Sequence, residues 1–145
     1  MVLRLFEPEH LGPVMALVTD IFEQIFSQDM YMAIQQAWPE GQVIDVEGGS
    51  IVGVLLSMRK SGTQGRILVM AVTEGRRDSG IGANLLNAFL QQCAREGMTS
   101  VVLEVRVSNL RAKEFYRRFG FQEVGPLPKY YPDGEDGILM TRNVV

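Results

Sequence analysis

Cysteine, histidine and tryptophan each occur once in this chain of 145 residues, as Cys93, His10 and Trp38. A lone cysteine excludes an intramolecular disulfide and a cysteine-rich metal site. A lone histidine excludes a multi-histidine centre, so no metal is expected. No apolar run reaches the ~18 residues that a membrane span needs. The opening MVLRLFEPEH has too short an apolar stretch for a signal peptide, which makes a cytoplasmic protein with no membrane partner the default expectation. Excess positive charge is missing as well. A formal net charge of −3 argues against non-specific nucleic-acid binding. Internal repeats, linkers and low-complexity segments are not seen, and the length suits one domain, 1–145, with a sizeable core.

What the chain does have is concentrated in ILVMAVTEGRRDSGIGA, residues 67–83. Its apolar run, Ile67 to Val72, is short and β-branched enough for a buried strand. A polar turn, Thr73 to Ser79, then leads to Gly80 and Gly82 at the mouth of a helix. The first-turn amides of a helix have no partner within it, and its dipole leaves partial positive charge there. Glycines let an anion approach the backbone closely. Arg77-x-x-Gly80-x-Gly82 therefore reads as a cradle for a diphosphate.

The rest of the chain frames this turn. Val2 to Phe6 forms a short first strand. From Pro8 to about Phe26, Leu11, Val14, Met15, Val18, Ile21, Phe22 and Ile25 recur at helical spacing. Ser27 or Asp29 caps a second helix carrying Met30, Met32, Ile34 and Ala37, ended by Pro39 and Gly41. His10 reads as a helix-end residue and Trp38 as a packing aromatic. Gln42–Glu47 and Ser50–Met58 form a hairpin around Gly48-Gly49. After the central strand, a helix from about Gly80 to Glu96 places Leu85, Phe89 and Cys93 on one stripe, which makes Cys93 a small core residue. Thr99–Val107 is the next strand, with Val101, Leu103, Val105 and Val107 on one face and Val102, Glu104 and Arg106 on the other. A helix capped by Ser108 or Asn109 follows, then two strands, Phe121 to about Pro126 and Gly137–Arg142. The order βααβββαβαββ implies an α/β (α+β) fold with a mixed sheet of about six to seven strands and about four helices.

A strand, a Gly-x-Gly turn, a helix, a strand and an acid also outline a dinucleotide-binding unit. Leu85 stands where the third small residue belongs, the turn from Thr73 to Ser79 is too long, and only one crossover is visible. A P-loop is excluded because no Gly-Lys-Ser/Thr follows.

The Arg77–Gly82 turn after a buried strand resembles the acetyl-CoA signature of the GCN5-related N-acetyltransferase (GNAT) superfamily. The run from Leu103 to Phe121 is similar to that superfamily's second acetyl-CoA block. Leu103-Glu104-Val105-Arg106, with Asn109, Tyr116, Gly120-Phe121 and Tyr130-Tyr131-Pro132, resembles RimI-type N-alpha-acetyltransferases more narrowly. The resemblance implies acetyl-CoA as cosubstrate, held by Arg77, Asp78, Ser79, Gly80, Ile81 and Gly82 at the diphosphate. It implies that the strand at Met70, Ala71 and Val72 pairs with the pantetheine arm, one amide polarising the thioester, and that Asn109 reaches the same arm. It makes Glu104 the general base, directly or through a water, and Tyr116 the acid for the leaving thiolate. By themselves Glu104 reads as a partner for Arg106 or a solvated edge residue, and Tyr116 as core.

Tyr130 and Tyr131 would wall an acceptor groove, or simply pack the last hairpin. The sequence departs from the family's usual pattern at Asp78 and Ser79, where basic residues or glycine are common. A carboxylate there must turn outward or pair with Arg76, while Ser79 could serve as an N-cap or phosphate donor. The implied acceptor is an amine, foremost a peptide or protein N-terminus. A lysine side chain, a polyamine, an aminoglycoside, or a low-turnover acyl-CoA-binding regulatory role stay open. The loop acids Asp133, Glu135 and Asp136 keep a polycation in play.

Overall fold

The computed structural model describes residues 2–22, 26–76 and 79–144. Strand β1 (Val2–Leu5) leads through a 3-10 turn, Pro8–His10, into helix α1 (Leu11–Ile21) and helix α2 (Gln28–Ala37). The hairpin β2 (Val43–Glu47) and β3 (Ser50–Arg59) precedes the central strand β4 (Gln64–Val72). Then come α3 (Ile81–Arg95), β5 (Ser100–Arg106), α4 (Leu110–Arg118), β6 (Gln122–Leu127) and β7 (Gly137–Asn143). The order βααβββαβαββ is the expected one.

The helix ends follow local chemistry. Ser27 caps α2 by accepting the Met30 amide at 3.2 Å, and Asn109 caps α4 by accepting the Ala112 amide at 3.1 Å. Gly97 and Gly120 adopt the left-handed conformation after α3 and α4. Two expectations need correction. The first helix ends at Ile21, where Phe22 turns extended, and Ile25 lies outside the described residues. The residue that α2 buries is Tyr31, whereas Ala37 is exposed.

The seven strands run β1-β2-β3-β4-β5-β7-β6, and β4–β5 is the one parallel pair among the described residues. Helices cover both faces. On one, Val14, Leu17, Val18 and Tyr31 pack with Phe6, Ile44, Val54, Leu56, Val69 and Ala71. On the other, Leu85, Leu86, Phe89, Cys93 and Tyr116 pack with Leu55, Ile67, Val101, Leu103 and Val105. Trp38 closes the second core. Its ring meets Phe89 edge-on at 5.7 Å, and its indole N–H donates to Glu96 at 2.9 Å.

Candidate active site

Strand β4 is paired very differently along its two edges. Toward β3 it is antiparallel from Gly65 to Val72. Toward β5 the pairing is confined to Gln64↔Ser100, Gly65↔Val101 and Arg66↔Val102. Beyond Arg66 the two strands part. A bulge sits at the fork: Leu56 faces Val69 and Ser57 faces Ile67, leaving Leu68 as the extra residue. A bulge bends its strand and increases the twist, which carries β4 away from β5.

The fork leaves backbone groups of β4 without a strand partner. The Thr73 amide donates to the Val52 carbonyl at 2.8 Å, so this position faces β3. Backbone groups alternate sides along a strand. Ala71 therefore also faces β3, while the amides and carbonyls of Met70 and Val72 face the open seam. Of the three residues expected to line a cofactor arm, the outer two present their backbone to the open seam.

At the end of β4 lies the glycine turn. Gly80 is the N-cap residue of α3 at φ 86°, with open space where a Cβ would stand. Among the described residues no side-chain cap hydrogen bond is seen at this helix start. Ile81 is buried and anchors the first turn, and a Cβ on Gly82 would come within 3.4 Å of the Phe115 ring. Ser79 does not act as the N-cap, because its hydroxyl donates to the Arg76 carbonyl. Arg76 pairs with Glu47, tying the turn to the β2–β3 hairpin. Arg77 and Asp78 lie outside the described residues. A helix start opened by a left-handed glycine with free space around it, beside a strand edge unpaired among the described residues, fits a diphosphate with an extended amide-bearing arm.

Glu104 and Tyr116 lie on opposite faces of the sheet. Tyr116 belongs to the core beneath α3 and α4, edge-on to Phe115 and Phe121 at 5.3 and 5.5 Å. Burial raises its pKa, so the phenol stays protonated at neutral pH. Glu104 alternates with Leu103 and Val105 and so points to the other face.

The partner of Glu104 is Arg66, not Arg106. Arg66 Nη2 lies 2.6 Å from Glu104 Oε1, and Nε donates to Oε2 at 3.2 Å. Arg66 also donates to the Tyr130 hydroxyl at 3.1 Å, which in turn donates to Glu104 Oε1 at 3.3 Å. Arg106 instead holds the last loop. It pairs with Asp133 at 2.8 Å and Glu135 at 2.9 Å, and its guanidinium stacks over the Tyr131 ring at 4.2 Å. Hydrogen bonds from Ser108 and then Arg106 keep Glu135 below the usual carboxylate range. Burial, the larger cause, and the neighbouring Tyr130 push the Tyr131 hydroxyl up to about 12. Asn109 spends its side-chain oxygen on the α4 cap. Arg66 was not singled out in the sequence; a lone charge on an otherwise apolar strand, the signal that marked Glu104, was available for it too.

A separate hollow of about 540 Å³ lies at the β2–β3 turn, lined by Arg4, His10, Pro13, Val46 and Ile51, away from the seam. Cys93 is buried, and its thiol is pushed up to about 12, first by burial and then by Glu96. It is an inert core residue.

Comparison with known proteins agrees with this geometry. The acetyltransferase (GNAT) family matches residues 11–121, and this chain belongs to that family. An uncharacterized N-acetyltransferase of Methanocaldococcus jannaschii is 33% identical over 98% of this chain and 91% of its own length. N-alpha-acetyltransferase 30 of Schizosaccharomyces pombe is 26% identical over 92% of this chain and 91% of its own. The crystal structure of Ard1 from Thermoplasma volcanium superposes with a TM-score of 0.95 at 34% identity, covering 99% of this chain and 97% of that one.

Proposed function

We propose that this chain transfers the acetyl group of acetyl-CoA to the α-amino group of a peptide or protein. The observation that carries the reading is the seam between β4 and β5, with an anion cradle at one end and Glu104 beside it. The α3 start holds the diphosphate, and the backbone of Met70 and Val72 aligns the arm. A Met70 or Val72 amide donates to the thioester oxygen as negative charge grows there. The neutral amine attacks the carbonyl carbon, a C–N bond forms and the C–S bond breaks. Glu104, directly or through a water, receives the amine's proton, and the Tyr116 phenol gives one to the departing sulfur. Asn109, Arg77 and Asp78 complete the cofactor contacts in this reading.

The acceptor class follows from proton energetics. An α-amine of pKa about 7.7–8.0 needs only ~1 kcal/mol to be neutral at pH 7, while a lysine near 10.4 needs ~4.6 kcal/mol. A glutamate already paired with an arginine suits the first far better. In the last loop Arg106 engages both Asp133 and Glu135, and Asp136 accepts the Lys129 amide at 2.8 Å, so these acids serve to hold the loop. Tyr130 and Tyr131, edge-on to each other at 5.0 Å, wall the groove for the first residues of the acceptor. The name of the fission-yeast relative points the same way, as does the motif resemblance to RimI-type enzymes. We read it as a single cytoplasmic domain.

The test is release of CoA thiol from acetyl-CoA with peptides bearing free N-termini, each beside an N-blocked twin that contains lysine. Turnover confined to free N-termini is expected. Turnover of the blocked twins would transfer the assignment to lysine, and binding of acetyl-CoA without turnover would leave a regulatory role.

A further inference from the structure

We propose that Arg66 is a positioning residue of the acceptor site, a guanidinium fork that sets the Glu104 carboxylate and the Tyr130 hydroxyl in one arrangement at the point where β4 and β5 part. The inference rests on the acetyl-transfer reading above and adds to it a residue outside the family's recognisable motifs.

Three features of its placement carry it. Arg66 occupies the last paired rung, opposite Val102 on β5 and Met58 on β3, so its backbone is held on both sides just before the seam opens. Glu104 lies two residues beyond Val102 and therefore on the same face, within direct reach. The three groups close a ring: Nη2 to Oε1 at 2.6 Å, Nε to Oε2 at 3.2 Å, Nη2 to the phenol at 3.1 Å, and phenol to Oε1 at 3.3 Å. A planar guanidinium can serve both carboxylate oxygens and the phenol at once, which the compact ammonium of lysine cannot.

The contribution is to geometry rather than to stability. Half-exposed ion pairs add little to folding, and Arg66 retains 30% of its side-chain exposure against 13% for Glu104. Proton transfer, by contrast, depends on a carboxylate held in one orientation. Tyr130 is 43% exposed, and its hydroxyl bonds only Arg66 and Glu104 among the described residues. The two tyrosines of the last loop are thus tied down by different arginines, Tyr130 by Arg66 and Tyr131 by Arg106. The Arg66–Glu104 pair also leaves this part of the groove without net charge, which gives a polycation no advantage over a peptide N-terminus.

The experiment compares Arg66→Met, Arg66→Lys, Glu104→Gln and the Arg66→Met/Glu104→Gln double variant, with a free-N-terminal peptide that the wild type acetylates. Arg66→Met is expected to lower kcat about tenfold or more while the acetyl-CoA Kd stays within about twofold. Arg66→Lys should recover only part of the loss. In the Glu104→Gln background, Arg66→Met should cost less than about twofold further, because the two side chains act as a unit. Additive losses, full activity in Arg66→Lys, or acetyl-CoA affinity falling in step with kcat would each overturn the assignment. A readout that needs no acceptor is the side-chain NMR spectrum of the free protein at constant pH. The Glu104 carboxyl and Tyr130 ring carbons should shift in both Arg66 variants while those of Tyr116 stay put, and unmoved Glu104 and Tyr130 signals would also overturn it. A wild type inert toward every peptide would sink the acetyl-transfer reading alone, and the NMR comparison would still decide whether Arg66 orders these groups.

Discussion

The two edges of β4 are built from one stretch of backbone and do opposite things. Toward β3 its hydrogen bonds are spent on a ladder, and α3 presses so closely on that ladder that a Cβ on Gly53 would stand 2.7 Å from Ile81 Cγ2. Toward β5 the ladder stops after three rungs and the remaining groups stay available. The first edge supplies stability, and the second keeps a site open at the stability cost of unmade bonds. A bulge of one residue, Leu68, separates the two regimes.

This contrast can be sharpened by substitutions confined to the open side. On the proposed mechanism, Tyr116→Phe removes the proton donor to the leaving thiolate and should have the largest effect. Turnover should fall about 100-fold or more, the usual scale for a lost acid, with acetyl-CoA affinity nearly unchanged. Steady-state kinetics beside calorimetric binding distinguish this from a packing defect, in which both would suffer. On the closed side, Gly53→Val should cost about 1–3 kcal/mol in urea unfolding by forcing Ile81 and Leu85 outward. Because Ile81 opens α3, some acetyl-CoA affinity should go with it, which is where the separation of the two edges breaks down. If Gly53→Val were harmless, the tight packing described here would be wrong.

Smaller effects belong further from β4. Arg106→Met unties Asp133, Glu135 and Tyr131, and should raise the acceptor KM several-fold with little change in acetyl-CoA Kd, read from peptide titrations at saturating acetyl-CoA. The smallest is a pH effect at the closed side. Burial pushes the Glu96 carboxyl up, but hydrogen bonds from Gln92, Trp38 and Arg59 outweigh it and hold the pKa below its ordinary value. A carboxylate depressed in the folded state stabilises above its unfolded pKa, and this is lost as pH falls through the folded value. The denaturation midpoint, followed by the emission of the single Trp38, should therefore drop in acid. Glu96→Gln should flatten that drop.

Much of this was legible in the chain. Period-two and period-3.6 patterns bounded by Gly48-Gly49, Gly97 and Gly120 located the elements, because the left-handed turns there favour glycine. The glycine turn before α3 and the lone acid at Glu104 stood out for similarly local reasons. Partner choice did not. Glu104 and Arg106 share a strand face, which made them natural partners on paper. The pairing of β4 with β5 instead brings in Arg66, 38 residues away, while the last loop captures Arg106. Tyr31, on α2, was likewise passed over for the neighbouring methionines, since which side of a short helix meets the sheet depends on how the helix lands.

The amino-acid sequence by itself determined the succession of strands and helices, the glycine turn before α3 and the residue types the proposed chemistry needs, because each arises from neighbours a few positions apart. Tertiary structure alone decided that β4 and β5 part after Arg66, that Glu104 and Tyr116 lie on opposite faces of the sheet, and which arginine each acid keeps. Those outcomes depend on strand register and on a single bulge, and register is set by the packing of whole elements against one another.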